Sequence, residues 1–257
     1  MCYDISFTIN VKQLSDYFPD LVFDDQIKFD FEKAVHILGH AYSLHPIIYK
    51  NKEDELLHCK LMEWGCIPFY VQDAKAYTRQ RASMLNARSE RVLEDTKSYW
   101  YKIRNRRCLI PVTGFYEHRK VAGLTKKVPY YIGLKNQPMF FIPGLYSVVK
   151  LPDEHGEVQE VWTFTILTRK ANSVMAQIHN SGDNDNRMPL MLPLALSQQW
   201  VKEELSEEAY KAILDYEMPA EALNFYTVDT IRSPKERPDG KAKNEFFAWE
   251  KVPEIVT

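Results

Sequence analysis

The chain has 257 residues, 45% of them hydrophobic, which is enough to bury a sizeable core in one large domain or two small ones. Mean hydropathy is −0.39 and no apolar run approaches the roughly 20 residues of a membrane helix, so a helical membrane protein is excluded. A net charge of −2 does not by itself mark a nucleic-acid binder.

In chain order, Asn10 is placed to cap a short helix through Leu14, Tyr17 and Phe18. Residues 57–64 read as a strand stopped by Gly65 and Pro68. Residues 96–106 read as a basic helix with Tyr99, Trp100 and Ile103 on its apolar side. A run of strand-like segments follows at 108–112, 115–118, 128–134, 139–142 and 161–168, rich in Val, Ile, Tyr and Phe and broken by Gly114, Gly123, Pro138 and Gly144. Asn172 caps a helix to Ile178, 188–192 is a short strand, 196–216 is one or two surface helices, and 224–230 is a late strand. Strands in runs, rather than in strict alternation with helices, predict an α+β fold: one domain on a mainly antiparallel, barrel-like sheet with peripheral helices. That domain is expected over 1–231. From 232 to 257 the chain turns polar, with Pro234, Pro238 and Gly240, and is expected to be a tail packed on the domain or extending from it.

Met1-Cys2-Tyr3-Asp4-Ile5-Ser6 lacks the basic and apolar regions of a secretory signal, which points to the cytoplasm. Without a signal, Cys2, Cys59, Cys66 and Cys108 read as thiols rather than a disulfide framework. There is no C-x-x-C pair, and His36-Ile37-Leu38-Gly39-His40 lacks the Glu of H-E-x-x-H, so its histidines read as structural and no metal site is expected. From Arg79 to Arg107 nine bases stand against three acids, a local excess of six positive charges. Such a stretch attracts phosphates or is simply a solvated face.

Cys2 carries distinctive chemistry if Met1 is removed. An α-amine has a reference pKa of about 7.7–8.0, against about 10.4 for lysine, so a useful fraction is neutral at cellular pH. Beside a thiol it forms a 1,2-aminothiol: the amine condenses with an aldehyde to an imine, and the thiol closes a five-membered thiazolidine. That second attack is intramolecular and strongly favoured.

Four segments follow. They are Trp64-Gly65-Cys66-Ile67-Pro68, Asn86-Ala87-Arg88-Ser89-Glu90, the long run from Arg107-Cys108-Leu109 to Gly114-Phe115-Tyr116-Glu117, and Ile178-His179 with Arg187-Met188-Pro189. Together, and in this order behind Cys2, they resemble the SOS response-associated peptidase (SRAP) family over roughly residues 1 to 200. The resemblance implies a DNA-damage protein that binds single-stranded DNA and crosslinks to the open-chain aldehyde of an abasic site, with AP-lyase and self-processing peptidase chemistry as possible companions. It implies no metal or organic cofactor, and we expect a monomer.

The resemblance also implies roles. Cys2 is the nucleophile, Asn86 orients its amine, Glu117 shuttles protons, and His179 protonates or hydrogen-bonds the sugar oxygen released as the abasic ring opens. Arg88 and Arg187 clamp phosphates, with Arg79, Arg81 and Arg107 of the basic stretch as further DNA contacts. Trp64, Ile67, Pro68 and Phe69 form a shelf for bases, with core packing as the alternative. Two features depart from the family's usual pattern. Tyr3-Asp4 stands where Gly-Arg is usual, and seven residues, 180–186, separate His179 from Arg187. The rival readings are an N-terminal-nucleophile amidohydrolase or peptidase, in which the Cys2 amine acts as base for its own thiol, and a non-catalytic single-strand-binding module.

Overall fold

A computed structural model describes residues 2–24, 27, 34–153, 155–202 and 204–256. Its strands are β1 (Asp4–Phe7), β2 (Val22–Phe23), β3 (Ala34–Leu38), β4 (Leu44–Lys50), β5 (Leu57–Trp64), β6 (Asn86–Arg88), β7 (Arg107–Val112), β8 (Gly114–Arg119), β9 (Val128–Leu134), β10 (Phe140–Pro152), β11 (Val158–Lys170), β12 (Arg187–Pro189) and β13 (Leu223–Thr227). The helices are α1 (Ala74–Arg81), α2 (Glu90–Leu93), α3 (Tyr99–Lys102), α4 (Ser173–Ile178), α5 (Leu194–Lys202) and α6 (Glu207–Leu214).

Five strands close a barrel. β5, β4, β7, β10 and β11 pair antiparallel in that order, and β11 then returns to β5 in parallel through Thr163 opposite Glu63 and Phe164 opposite Trp64. Closure removes the exposed edges that an open sheet would leave. β12 and β6 add to the far half of β11. A second sheet, antiparallel throughout, runs β13-β9-β8-β1-β3. It is joined to the barrel where β7 passes into β8 through Thr113, whose amide donates to the Ser6 carbonyl at 2.8 Å. The α+β, mainly antiparallel, barrel-like fold is the one the strand runs predict.

Local chemistry explains the elements. In β5, Leu57, Cys59, Met62 and Trp64 are buried. All seven residues of β9 are buried because both faces are covered. Asn10 caps a 3-10 turn, Val11–Asp16, in a reciprocal capping box with Gln13. The Asn172 side chain accepts from the Met175 amide at 2.9 Å and starts α4. Gly114 is obligatory, since a Cβ there would lie 2.3 Å from the Tyr131 ring.

Several elements differ from the expectations. The basic helix of 96–106 shrinks to α3. Ser98 caps it through the Tyr101 amide, and Ile103 already leaves the helical region at φ −106°, ψ 13°. β10 and β11 run much further than 139–142 and 161–168, because nine residue pairs zip them together from Gly144–Ile166 to Pro152–Val158. β1, β3 and β4 fall outside the predicted elements. α5 is not a surface helix, since Trp200 is fully buried and donates from Nε1 to the Cys108 carbonyl at 3.0 Å.

Residues 232–256 form no regular element but are tied down. The nearly inaccessible Arg237 side chain donates to Asp239 and to the carbonyls of Ala242, Glu245 and Phe246. The Phe247 amide donates to the Thr227 carbonyl at 2.9 Å, and Trp249 Nε1 to that of Val228 at 2.8 Å. Among the described residues, no helix is long and apolar enough to cross a membrane.

Candidate active site

Cys2 stands two residues before β1, and β1 lies beside β8 with Ile5 opposite Phe115 and Ser6 opposite Gly114. Continuing that antiparallel register sets the chain before Asp4 alongside Glu117. Asn86 arrives from the barrel side, on β6, opposite Ile166 of β11. Its Nδ2 donates to the Cys2 carbonyl at 2.9 Å, fixing the chain at Cys2. His179 closes the group from the C-cap of α4, with its Nε2 3.8 Å from Glu117 Oε2. Four chain segments far apart in sequence thus bring Cys2, Asn86, Glu117 and His179 together.

Glu117 is 5% exposed, and among the described residues its Oε1 has no hydrogen-bond partner. Burial pushes its pKa up to about 8, and the Asp4 carboxylate adds to that push. At neutral pH the side chain is therefore mostly the acid. Burial moves His179 the other way, to about 4, so it is neutral. Its Nδ1 lies 2.9 Å from the Arg187 carbonyl and 3.3 Å from the Arg187 amide. One nitrogen cannot donate to the first and accept from the second, and the shorter contact makes Nδ1–H the donor. Nε2 then presents its lone pair toward Glu117.

Cys2 has no exposed surface, and its Sγ lies 3.6 Å from the Asp4 carbonyl. Burial, then the Glu117 carboxylate, raises its thiol well above the usual range. The thiol is not a ready thiolate. A cleft of about 420 Å³ opens over the group, lined by Tyr3, Asp4, Glu117, His118, His179 and Arg232, with Lys127 and residues 181–184. Asp4, the departure at the start of the chain, is not aimed at solvent. It is buried and held by His36 Nε2 at 2.7 Å and by Arg232 through two bonds, Nε at 3.0 Å and Nη2 at 2.6 Å. These partners lower its pKa against the cost of burial. His36 is therefore structural, as the sequence suggested.

The expected DNA contacts scatter. Arg88 is exposed and donates to Asn184 Oδ1 at 2.9 Å, which ties it to the 180–186 segment beside the cleft. Arg187 is spent inside the protein, with a two-pronged bond to Glu90 at 2.7 and 3.0 Å and another to the Thr168 carbonyl at 2.6 Å. Trp64 and Pro68 need correction, because both are buried. Trp64 stacks on Phe164 and donates from Nε1 to the Leu85 carbonyl at 2.9 Å, so it cannot meet a base but steadies the strand that carries Asn86. Next to Pro68 the chain exposes two aromatics, Phe69, 48% accessible, and Tyr70, 60%, the latter not singled out by sequence.

Arg81 also needs correction. It is bound to Glu63 at 2.6 Å and to the Gly65 carbonyl at 2.8 Å, and it lies over the Tyr42 ring. Arg107 packs over Trp200 and Tyr210 and borders a separate cleft with Lys202 and Glu204. Arg79 is exposed on α1. Sequence reading also missed His118, Lys127 and Arg232. Arg232 has only one signal, a charged residue directly after Ile231, where the chain turns polar.

Comparison with known proteins identifies the family. The family described as SOS response associated peptidase (SRAP) matches residues 1–231. Abasic site processing protein YoqW of Bacillus subtilis is 31% identical over 175 residues, 68% of this chain and 71% of that protein. YoaM of the same organism, also named an abasic site processing protein, is 30% identical over 175 residues, 68% and 70% respectively. A crystal structure of a protein from Bacteroides thetaiotaomicron superposes with a TM-score of 0.75 at 26% identity, covering 95% of this chain and 97% of that one. With a family match spanning residues 1–231, the chain belongs to the SOS response associated peptidase (SRAP) family.

Proposed function

We propose that this protein processes abasic sites in DNA, binding single-stranded DNA as a cytoplasmic monomer and trapping the lesion as a thiazolidine on Cys2. The observation that carries this reading is the meeting of an amino-terminal cysteine, held through its carbonyl by Asn86, with a buried, mostly protonated Glu117. Met1 lies outside the described residues; its removal, by an aminopeptidase or by self-cleavage, is the one peptide-bond step required.

The freed α-amine adds to the open-chain aldehyde. Glu117 gives its proton to the departing hydroxyl, which leaves as water, and a protonated imine that keeps its N–H remains. The Cys2 thiol then adds to the imine carbon, and its proton returns to Glu117. The sum is aldehyde plus aminothiol to thiazolidine plus water, with Glu117 regenerated as the acid. A thiol whose pKa is raised suits this order, since the amine attacks first and the sulfur only closes a ring. The same feature disfavours an amidohydrolase, which needs the sulfur as its leading nucleophile. Neutral His179 accepts a hydrogen bond from the sugar hydroxyl as the ring opens. With a pKa of about 4 it is not the acid.

The test is a denaturing gel of the processed protein with abasic single-stranded DNA. A shifted band is expected from the wild type and lost in Cys2→Ala, whose amine forms only a transient imine open to β-elimination and strand nicking. A full-yield, heat-stable band from Cys2→Ala would overturn the mechanism. Amide turnover without a band would favour the hydrolase, and a salt-sensitive native shift alone would favour a plain binding module.

A further inference from the structure

The family match ends at residue 231, and the next residue, Arg232, reaches back to the cleft over the nucleophile. Its placement is fixed from both sides. Ile231 before it is buried, and residues 247 and 249 are bonded to the chain at Thr227 and Val228. Asp4 grips the guanidinium through Nε and Nη2, yet the side chain stays 47% exposed, and among the described residues Nη1 takes no protein partner. The buried carboxylate also has a second partner of its own, His36.

A guanidinium pinned on one edge and open on the other is a prepared receptor. Its plane is already ordered, so gripping an anion costs little further entropy. The ligand chemistry follows from the surroundings: Arg232 and exposed Lys127 share the cleft with Glu117 and His179, while Asp183 opposes them. We propose that Arg232, supplied by the C-terminal segment and held by Asp4, positions a backbone phosphate next to the abasic sugar. The assignment of the anion to DNA rests on the proposed function.

The experiment compares wild type, Arg232→Ala, Asp4→Asn and the double variant. Affinity for undamaged single-stranded DNA is read by fluorescence anisotropy across a salt series, and adduct formation by its half-saturating DNA concentration. The double variant carries no unpaired buried charge at position 4, so it guards against a folding defect in Arg232→Ala. Loss of one phosphate contact is expected to weaken low-salt binding about tenfold and flatten the log–log salt slope by about 0.7 in Arg232→Ala. The double variant should stay as weak, and Asp4→Asn, which keeps the guanidinium, should lose less. Recovery of wild-type affinity and slope in the double variant would overturn the proposal, because Arg232 would then serve only to neutralise Asp4. An unchanged slope in Arg232→Ala would overturn it too. A wild type that binds but never forms an adduct would sink the proposed function and leave the anisotropy comparison intact.

Discussion

Residues 64–68 and residues 115–117 are both family motifs, and both are buried, yet they do opposite work. Trp64 is enclosed with its one polar atom satisfied by the Leu85 carbonyl. Glu117 is enclosed with Oε1 unpaired among the described residues and its proton affinity shifted by burial. A buried polar group that is fully bonded contributes to packing, whereas one left partly unbonded costs stability and calls for a functional reason. The difference assigns the proposed proton transfer to one motif and packing to the other, and each half can be tested separately.

The largest effect is expected at Glu117. Glu117→Gln keeps the shape but cannot transfer a proton, so adduct formation and reversal should both slow by about 10²–10⁴-fold. Both directions suffer because they share transition states. The pH profile sharpens the point. The neutral amine grows with pH up to a pKa of about 7.7–8.0. The Glu117 acid is present below its pKa of about 8 and disappears as pH rises through it. The wild-type rate should therefore climb toward pH 8 and fall beyond it, while the variant's should level off without falling. Single-turnover time courses across pH decide this; matching profiles would move the shuttle elsewhere.

Trp64→Ala should behave as a core lesion, costing about 3–5 kcal/mol in urea unfolding. Any loss of adduct yield should track the unfolded fraction and the seating of Asn86. A variant with native stability and selectively weakened DNA binding would restore Trp64 to the DNA shelf.

The smallest contrast lies between two arginines. Arg88→Ala should lower DNA affinity and flatten the salt slope by about 0.7, one single-strand phosphate. Arg187→Ala should cost stability rather than affinity, because its guanidinium is already committed to Glu90 and Thr168. Salt-series binding and thermal melts of both variants check the ranking, which fails if Arg187→Ala is the weaker binder at equal ionic strength.

The parts of this molecule legible in its sequence are those decided locally. Residues 57–64 and 128–134 show the right composition between clear breakers, and Asn10 and Asn172 cap where their side chains can reach. The long β10–β11 hairpin was not legible, since Pro143, Gly144 and Pro152 look like stops when only barrel pairing makes them strand. The basic helix was over-read because the spacing of Trp100 and Ile103 fits one turn as well as three.

At the site, Cys2, Asn86, Glu117 and His179 were accessible through motif order, and the fold brings them together. The charge of Asp4 misleads until its partner is known, and that partner lies 228 positions away. Charged residues in the 79–107 stretch could not be sorted by sequence. Whether an arginine meets DNA or Glu63 depends on which strand passes beside it.

The central claim is that Cys2, as the first residue, captures an abasic aldehyde. Intact mass spectrometry after incubation with an abasic single-stranded oligonucleotide tests it most directly, because it weighs processing and capture at once. The account predicts one new species, with the mass of the chain without Met1 plus the oligonucleotide minus one water, absent in Cys2→Ala. A species that retains Met1, or an equal yield of the same adduct from Cys2→Ala, would contradict it.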